Sequence, residues 1–464
     1  MSPPRFDRSV VDAPITKAIW MIAWPTMLQN VIAGLQGLVD NAMVGHFVGY
    51  EGNAAIGVSW QIFLVVVVFI SSLYGGMGVL VARFAGQGDR SKVARVVYQV
   101  MLLSLLLGIG VLAPLGFFAA PGLLALVHAT PSVGAQALPY LRIMFLFSLG
   151  MMLFFMIGGA LRAAGDARTP LRLGIGMTIL NLLLSVVLIR GLGPIPAFGT
   201  AGAAMGTVLA SLLVSGYALY LLFSGGLAID LRDAVSFRLD AQVAQRVLRF
   251  GLPTGFQGVA MNLGGVILLR FVGSLEHSAE AQAAYAVGYS QIFAFITWTS
   301  IALMTATATV VGQSLGAERR ERALEAPAAA ARLGLLVAIP LGMLFLLASR
   351  QLYGIFGIEN PQVLAIGGGL LAFLSLSGMF LTTALAYTGA LQGSGDTRSP
   401  MYISILSQLV LPLTLCSVLD RLHGLAASDI WLAIVAGHFM RCALSVLRFG
   451  QGKWQAIRVE LGGA

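Results

Sequence analysis

Ala160-Leu-Arg-Ala-Ala-Gly-Asp-Ala-Arg-Thr-Pro170 recurs in this chain as Ala390-Leu-Gln-Gly-Ser-Gly-Asp-Thr-Arg-Ser-Pro400, roughly half the chain length further on. Each copy sits between two long apolar runs. Two shorter echoes keep nearly the same spacing. Trp24-Pro-Thr-Met-Leu-Gln29 returns as Leu252-Pro-Thr-Gly-Phe-Gln257, and Gly57-Val-Ser-Trp-Gln-Ile-Phe63 returns, one residue shorter, as Gly288-Tyr-Ser-Gln-Ile-Phe293. The chain is therefore read as a duplication, with halves 1–235 and 236–464 joined through a polar, charged loop at 224–245 that contains Asp230, Arg232, Asp233, Arg238 and Asp240.

The apolar runs set the class. Of 464 residues, 58% are hydrophobic and only 10% charged, and the mean hydropathy is +0.88. That balance is foreign to soluble domains and typical of membrane proteins. The runs are about 20 residues or longer, which suits spanning helices rather than barrel strands. Twelve spans are predicted, at 16–46, 54–81, 94–120, 137–161, 171–190, 199–223, 246–272, 281–311, 327–348, 363–391, 401–419 and 430–448. The fold class is an all-α integral membrane protein of twelve transmembrane helices. Six spans per half give two parallel repeats, an arrangement of secondary transporters with a cavity between the halves.

Most of the 28 lysines and arginines lie in the two tails and in alternate loops, which predicts both termini in the cytoplasm of a cell membrane. The net charge of +9 is then a property of cytoplasmic loops and not a nucleic-acid footprint. Cys416 and Cys442 both lie in apolar runs, so no disulfide or metal framework is expected. The N-terminal stretch MSPPRFDRSVVDAP lacks the apolar core of a removable signal peptide. No phosphate-binding G-x-x-x-x-G-K-[ST] stretch occurs, so transport is expected to run on an ion gradient, with no cofactor.

The first span carries the chemistry. Ala18–Gly45 is almost wholly apolar, yet it holds one acid, Asp40, and one proline, Pro25. An ionised carboxylate at membrane depth costs several kcal/mol on the most lenient scale. A proline inside a span removes a backbone hydrogen bond and invites a hinge. At about 1.5 Å of rise per residue, Gln61 on the second span, Asn181 on the fifth and Thr207 on the sixth come to the level of Asp40. These groups could hydrogen-bond the acid in either protonation state; singly, each is as well explained by a contact between helices. Protonation would favour one shape of the span and deprotonation the other. The C-terminal half has no matching acid: the position of Asp40 falls near Leu268, and Asn181 matches Leu411. The deep basic residue there, Arg441, is expected to snorkel toward the cytoplasm or to line the cavity.

The substrate cavity is expected to be lined by Gln29, Asn30, Trp60, Tyr74, Gln257, Tyr289, Gln291 and Trp298, with Met261, Tyr285, Phe293 and Tyr387 as further candidates. Aromatic faces suit flat organic cations and methionine suits mixed shapes, although any one of these is as readily a packing side chain. Gly202 and Gly206 form a small-xxx-small pair that predicts close helix packing.

Pro25, Gln29-Asn30, Asp40 and Val44-Gly45, the duplicated Gly-Asp-x-Arg-Thr/Ser-Pro loops, and the paired Gly86 and Gly316 loops resemble the multidrug and toxic compound extrusion (MATE) family over nearly the whole chain. The resemblance implies a monomeric, V-shaped exporter that exchanges H+ or Na+ for a small organic, cationic or amphipathic compound. Asp40 matches the family's first-span acid and Asn181 its fifth-span asparagine, a pair that would also be the place for Na+. Where the proton-coupled branch has a second acid, this sequence has Ser185, and the acids of the NorM-like second half are absent. The chain looks nearer the DinF-like branch, with a reduced ion site. A lipid-linked precursor flippase of the same superfamily would need a set of cleft arginines. A polytopic membrane enzyme would need a polar catalytic cluster at one membrane face. The sequence displays neither. The two-half repeat and the single asymmetric acid weigh against a channel.

Overall fold

The duplicated stretch is a stop signal followed by a start signal. In the computed structural model, Gly165 and Gly395 both take the left-handed conformation, each at φ 99°. Their N–H groups bond back to Arg162 O and Gln392 O, and the N–H groups of Asp166 and Asp396 reach Leu161 O and Leu391 O. This closes the preceding helices, and glycine adopts the required φ without steric cost. The carboxylate of Asp166 then accepts from Thr169 N at 3.0 Å and Thr169 Oγ1 at 2.6 Å. Asp396 accepts from Ser399 N at 3.1 Å and Ser399 Oγ at 2.8 Å. Pro170 and Pro400 fall in the first turn, where a missing N–H does no harm.

The structure describes residues 8–232, 234 and 238–460, and the side chains of all of these except 65, 69 and 71. The spans are Ile15–Phe47, Tyr50–Gln87, Arg90–Leu126, the pair Pro131–Leu146 and Ser148–Ala163, then Arg168–Arg190, Gly199–Ser224, Ala241–Gly273, Ser278–Gly316, Arg320–Leu347, Pro361–Ser394, Arg398–His423 and Ala427–Gly450. They are numbered one to twelve below. Among the described residues eleven are long and apolar enough to cross a membrane as they stand, and the bent pair, taken as one span, makes twelve. The predicted fourth span is broken by 51° where Phe147 leaves helical geometry. Spans three, eight and eleven each contain a π-helical turn, at Gly108–Leu112, Gly288–Ile292 and Leu406–Val410. Among the described residues the extended structure is limited to one isolated bridge, Leu192 with Ile195.

The chain divides into two compact units. One is built on Leu28–Leu252; the other combines Arg8–Met27 with Pro253–Val459. The division falls inside spans one and seven, two residues after Pro25 and at Pro253. The sequence-based border at 235/236 lies outside the described residues, as does Asp233. In the first unit, Gly202 is indeed a packing residue: a Cβ there would meet Leu188 O of span five at 2.4 Å, and one at Gly206 would meet Ser185 Oγ at 2.5 Å. In the second unit, Gly389 and Gly393 on span ten lie equally tight against Met304 O and Ala308 O of span eight. Small residues at these points let helix backbones touch.

The segment before span seven is anchored to the first unit. Leu227, Ile229 and Leu231 are buried. Asp240 accepts from Arg95 Nε at 2.9 Å, and its N–H donates to Gln99 Oε1 at 2.9 Å. Large apolar side chains such as Phe118, Val266, Leu336 and Leu347 point outward, the surface expected of helices solvated by lipid.

Candidate functional site

The first unit gathers the polar groups of three spans around Asp40. Span one supplies Gln36 and Asp40, one turn apart on the same face. Span five supplies Thr178 and Asn181, again one turn apart, and span six supplies Thr207. The Gln36 side chain hydrogen-bonds Asp40, and Thr178 Oγ1 donates to Gln36 Oε1 at 2.8 Å. Asn181 is fully buried. With its amide turned to satisfy its neighbours, Nδ2 donates to Asp40 Oδ1 at 3.2 Å. Its Oδ1 then accepts from Thr207 Oγ1 at 3.0 Å and Thr207 N at 3.2 Å. Asp40 is half-buried and has no ion-pair partner among the described residues.

The chemistry of this cluster follows from its donors. A lone carboxylate surrounded by neutral amides and hydroxyls can take a proton and remain hydrogen-bonded, because an amide offers a donor at one end and an acceptor at the other. The same oxygens, from Asp40, Asn181 and Thr207, are of the hard type that binds an alkali cation. Among the described residues no three His, Cys, Asp or Glu side chains come together in a way that could hold a metal ion.

Three of the expected ion-site residues meet here and two do not. Asp40, Asn181 and Thr207 come together. Gln61 is exposed and makes no hydrogen bond among the described residues. It shares the outward face of span two with Gly57 and Trp60, away from the buried Phe63. Position along the helix alone does not place Gln61 beside Asp40, because direction around the helix axis decides which neighbours it meets. Ser185 is buried against Gly206, and its Oγ has no hydrogen-bond partner among the described residues. Gln36 and Thr178 were missed, although each lies one turn from a residue already identified.

The expected cavity residues scatter. Pro25 is buried within an unbroken helix, where Thr26 Oγ1 bonds back to Ile22 O at 2.8 Å. Gln29 accepts from Arg162 Nη1 at 3.2 Å, and the repeat mates reproduce this contact, with Gln392 Nε2 donating to Gln257 Oε1 at 3.4 Å. Gln257 also donates to Ser404 Oγ at 2.8 Å, so its amide is engaged inside the second unit. Tyr74 is buried with its hydroxyl 3.5 Å from Ser104 Oγ. Trp60 is 43% exposed. Asn30, Tyr289, Gln291 and Trp298 are half-buried. Tyr289 stacks on Tyr285 with centroids 5.0 Å apart, and Trp298 meets Phe295 edge-on at 5.5 Å. Arg441 does not snorkel: it is 2% exposed, because its place on span twelve faces the interior of the second unit.

Comparison with known proteins agrees with this architecture. A model of the MatE family matches residues 25–187 and again 253–418, one match in each half. The chain is 27% identical over 448 residues to a probable multidrug resistance protein NorM of Thermotoga maritima, covering 95% of this chain and 93% of that one. Among solved structures it resembles a MOP superfamily transporter from Pyrococcus furiosus, with a TM-score of 0.88 at 21% identity over 97% of this chain and 98% of the other. An outward-facing multidrug resistance MATE family transporter is equally similar, at TM-score 0.88 and 22% identity, covering 97% of this chain and 98% of that one. At these identities the structural likeness speaks to the fold, while the twice-matching family model speaks to descent. The chain belongs to the MatE family and is a multi-pass membrane transporter with that family's all-helical, duplicated fold.

Proposed function

We propose that this protein is a secondary active efflux transporter that expels small organic, cationic or amphipathic compounds in exchange for H+ or Na+. The observation that carries the reading is Asp40, held on a spanning helix by Gln36 and Asn181 with no basic partner among the described residues. A carboxylate kept there without a counter-charge is costly unless a cation comes and goes. The relatives' names support drug export, and the likeness to exporters supports alternating access. Asp40, Asn181 and Thr207 form the ion-coupling set, with Gln36 and Thr178 as positioning residues. Gln61 and Ser185, outside the cluster, have at most an indirect part.

The protein acts in the cell membrane, as a monomer with both termini in the cytoplasm. Substrate contacts come from half-buried and exposed wall residues such as Trp60, Tyr289, Gln291 and Trp298. The sequence displays no set of cleft arginines, which favours this over flipping a pyrophosphate-linked lipid. The test is transport by the purified protein in liposomes with a pH gradient and a sodium gradient imposed separately. Export driven by one gradient is the expected result. Accumulation under neither, with substrate passively equilibrating instead, would refute the exchange mechanism.

A further inference from the structure

The second unit holds a buried cation that pairs with no carboxylate among the described residues. Arg441 is 2% exposed. Its Nε and Nη1 are buried and have no hydrogen-bond acceptor, and no carboxylate pairs with it among the described residues. One turn earlier on span twelve, His438 is buried and bonded through Nδ1 to Ser377 Oγ of span ten. Span eight brings Tyr285, Tyr289 and Phe293, each one turn from the next. Tyr289 meets Phe293 at 5.6 Å with the rings tilted, and Phe293 stacks at 6.1 Å on His438; at the other end Trp431 stacks at 6.1 Å on Tyr285. Tyr289 and His438 are close enough to Arg441 to interact with it electrostatically. The Tyr289 hydroxyl makes no hydrogen bond among the described residues, and the ring is only half-buried.

A buried guanidinium without a counter-charge is strongly unfavourable, and removing the need for it is easy in evolution because an apolar side chain of similar size is tolerated. Its planar fork is the geometry that binds a carboxylate through two parallel hydrogen bonds. The aromatic stack beside it offers a flat face for a ring, and the Tyr289 hydroxyl offers one more donor. We propose that Arg441 is an anion-recognition centre of the second unit, and that it takes the carboxylate of a small aromatic organic acid or zwitterion with Tyr289 as its neighbouring donor. This extends the range of compounds the protein accepts beyond cations. It concerns binding within one unit and does not depend on the direction or energy source of transport.

The experiment measures binding to the purified full chain in detergent, at constant ionic strength, with sodium benzoate, sodium chloride and the neutral isostere benzyl alcohol as probes. The readouts are the thermal unfolding midpoint and tryptophan fluorescence, to which Trp431 contributes. Benzoate is expected to raise the midpoint by a few degrees, more than chloride or benzyl alcohol at the same concentration. Arg441→Gln should unfold cooperatively at a midpoint no lower than that of the wild type without benzoate, and should bind benzoate at least about tenfold more weakly. Arg441→Lys should retain part of the binding. Tyr289→Phe should weaken it without abolishing it. A benzoate effect equal to that of benzyl alcohol, or one kept in full by Arg441→Gln, overturns the proposal. Chloride stabilising as strongly as benzoate overturns the assignment to an organic acid. Should Arg441→Gln fail to fold, the comparison of the three probes on the wild type and on Arg441→Lys still decides.

Discussion

The Asn181 amide lies 3.2 Å from Asp40 Oδ1 on one side and 3.0 Å from Thr207 Oγ1 on the other, so one buried side chain ties the acid of span one to spans five and six. The orientation of that amide is matched to the charge on Asp40. An ionised carboxylate calls for the Nδ2 end; a protonated one can donate to the Oδ1 end, leaving Nδ2 to donate to Thr207 Oγ1.

Asp40→Asn keeps the size and hydrogen bonding of the side chain but cannot release a proton or bind a cation by charge. It should fold, reach the membrane and unfold at a midpoint near or above that of the wild type. Gradient-driven efflux from liposomes should fall to the rate of protein-free vesicles. Undiminished transport would remove Asp40 from the mechanism.

Asn181→Leu installs the residue found at the matching position of the second half, Leu411. It removes the bridge between Asp40 and Thr207 and leaves the hydroxyl of Thr207 bonded only to Ala203 O. We expect at least a tenfold loss of coupled transport with substrate binding retained, read as the ratio of gradient-driven flux to equilibrium binding.

Gly202→Ala places a methyl group 2.4 Å from a backbone carbonyl of span five, which cannot rotate aside. Spans five and six must separate, at a cost of about 1–3 kcal/mol. The expected outcome is a lower thermal midpoint and, since this pair of helices carries Asn181 and Thr207, a loss of coupling as well. Gly176→Ala, on span five with open space at its Cβ position, should do neither.

Asp240→Ala should release the start of span seven from Arg95, while the backbone N–H at 240 keeps its bond to Gln99 Oε1. Partial burial raises the Asp240 pKa, but the hydrogen bond from Arg95 and those from the N–H groups of Val243 and Gln242 outweigh it and hold the carboxyl below its ordinary value. A lowered folded-state pKa contributes stability that is present above the ordinary carboxylate range and is lost as pH falls through the lower, folded-state value. Loss of this helix cap should cost about 1 kcal/mol at neutral pH. The difference from wild type should vanish in acid, checked by thermal unfolding across pH.

Gln257→Ala breaks bonds to Ser404 and Gln392 inside the second unit and should lower stability while leaving ion coupling intact. Gln291→Ala, which removes no hydrogen bond among the described residues, should alter substrate preference at most. Loss of coupling with binding intact in either variant would show that the second unit also carries the ion.

Much of this protein is set by local patterns that a reader of sequence can see. Run length and hydropathy specify spanning helices because the bilayer leaves backbone groups no other partners. Gly165, Asp166 and Pro170, with their mates Gly395, Asp396 and Pro400, specify where helices stop and restart, since left-handed glycine, side-chain capping and first-turn proline all act within a few residues. Asp40 stands out because charge at membrane depth is costly wherever it occurs. What lay beyond the sequence was direction around each helix axis. Gln61 and Asn181 are both side-chain amides that helical rise expects at one level, yet only Asn181 faces the acid, because the packing of Gly202 and Gly206 against span five fixes that face. Gln36 and Thr178 enter the cluster because each lies one turn from Asp40 or Asn181 on the same helix face. Arg441 shows the limit most plainly: by position it could reach water, and only the packing of spans eight, ten and twelve decides that it is enclosed.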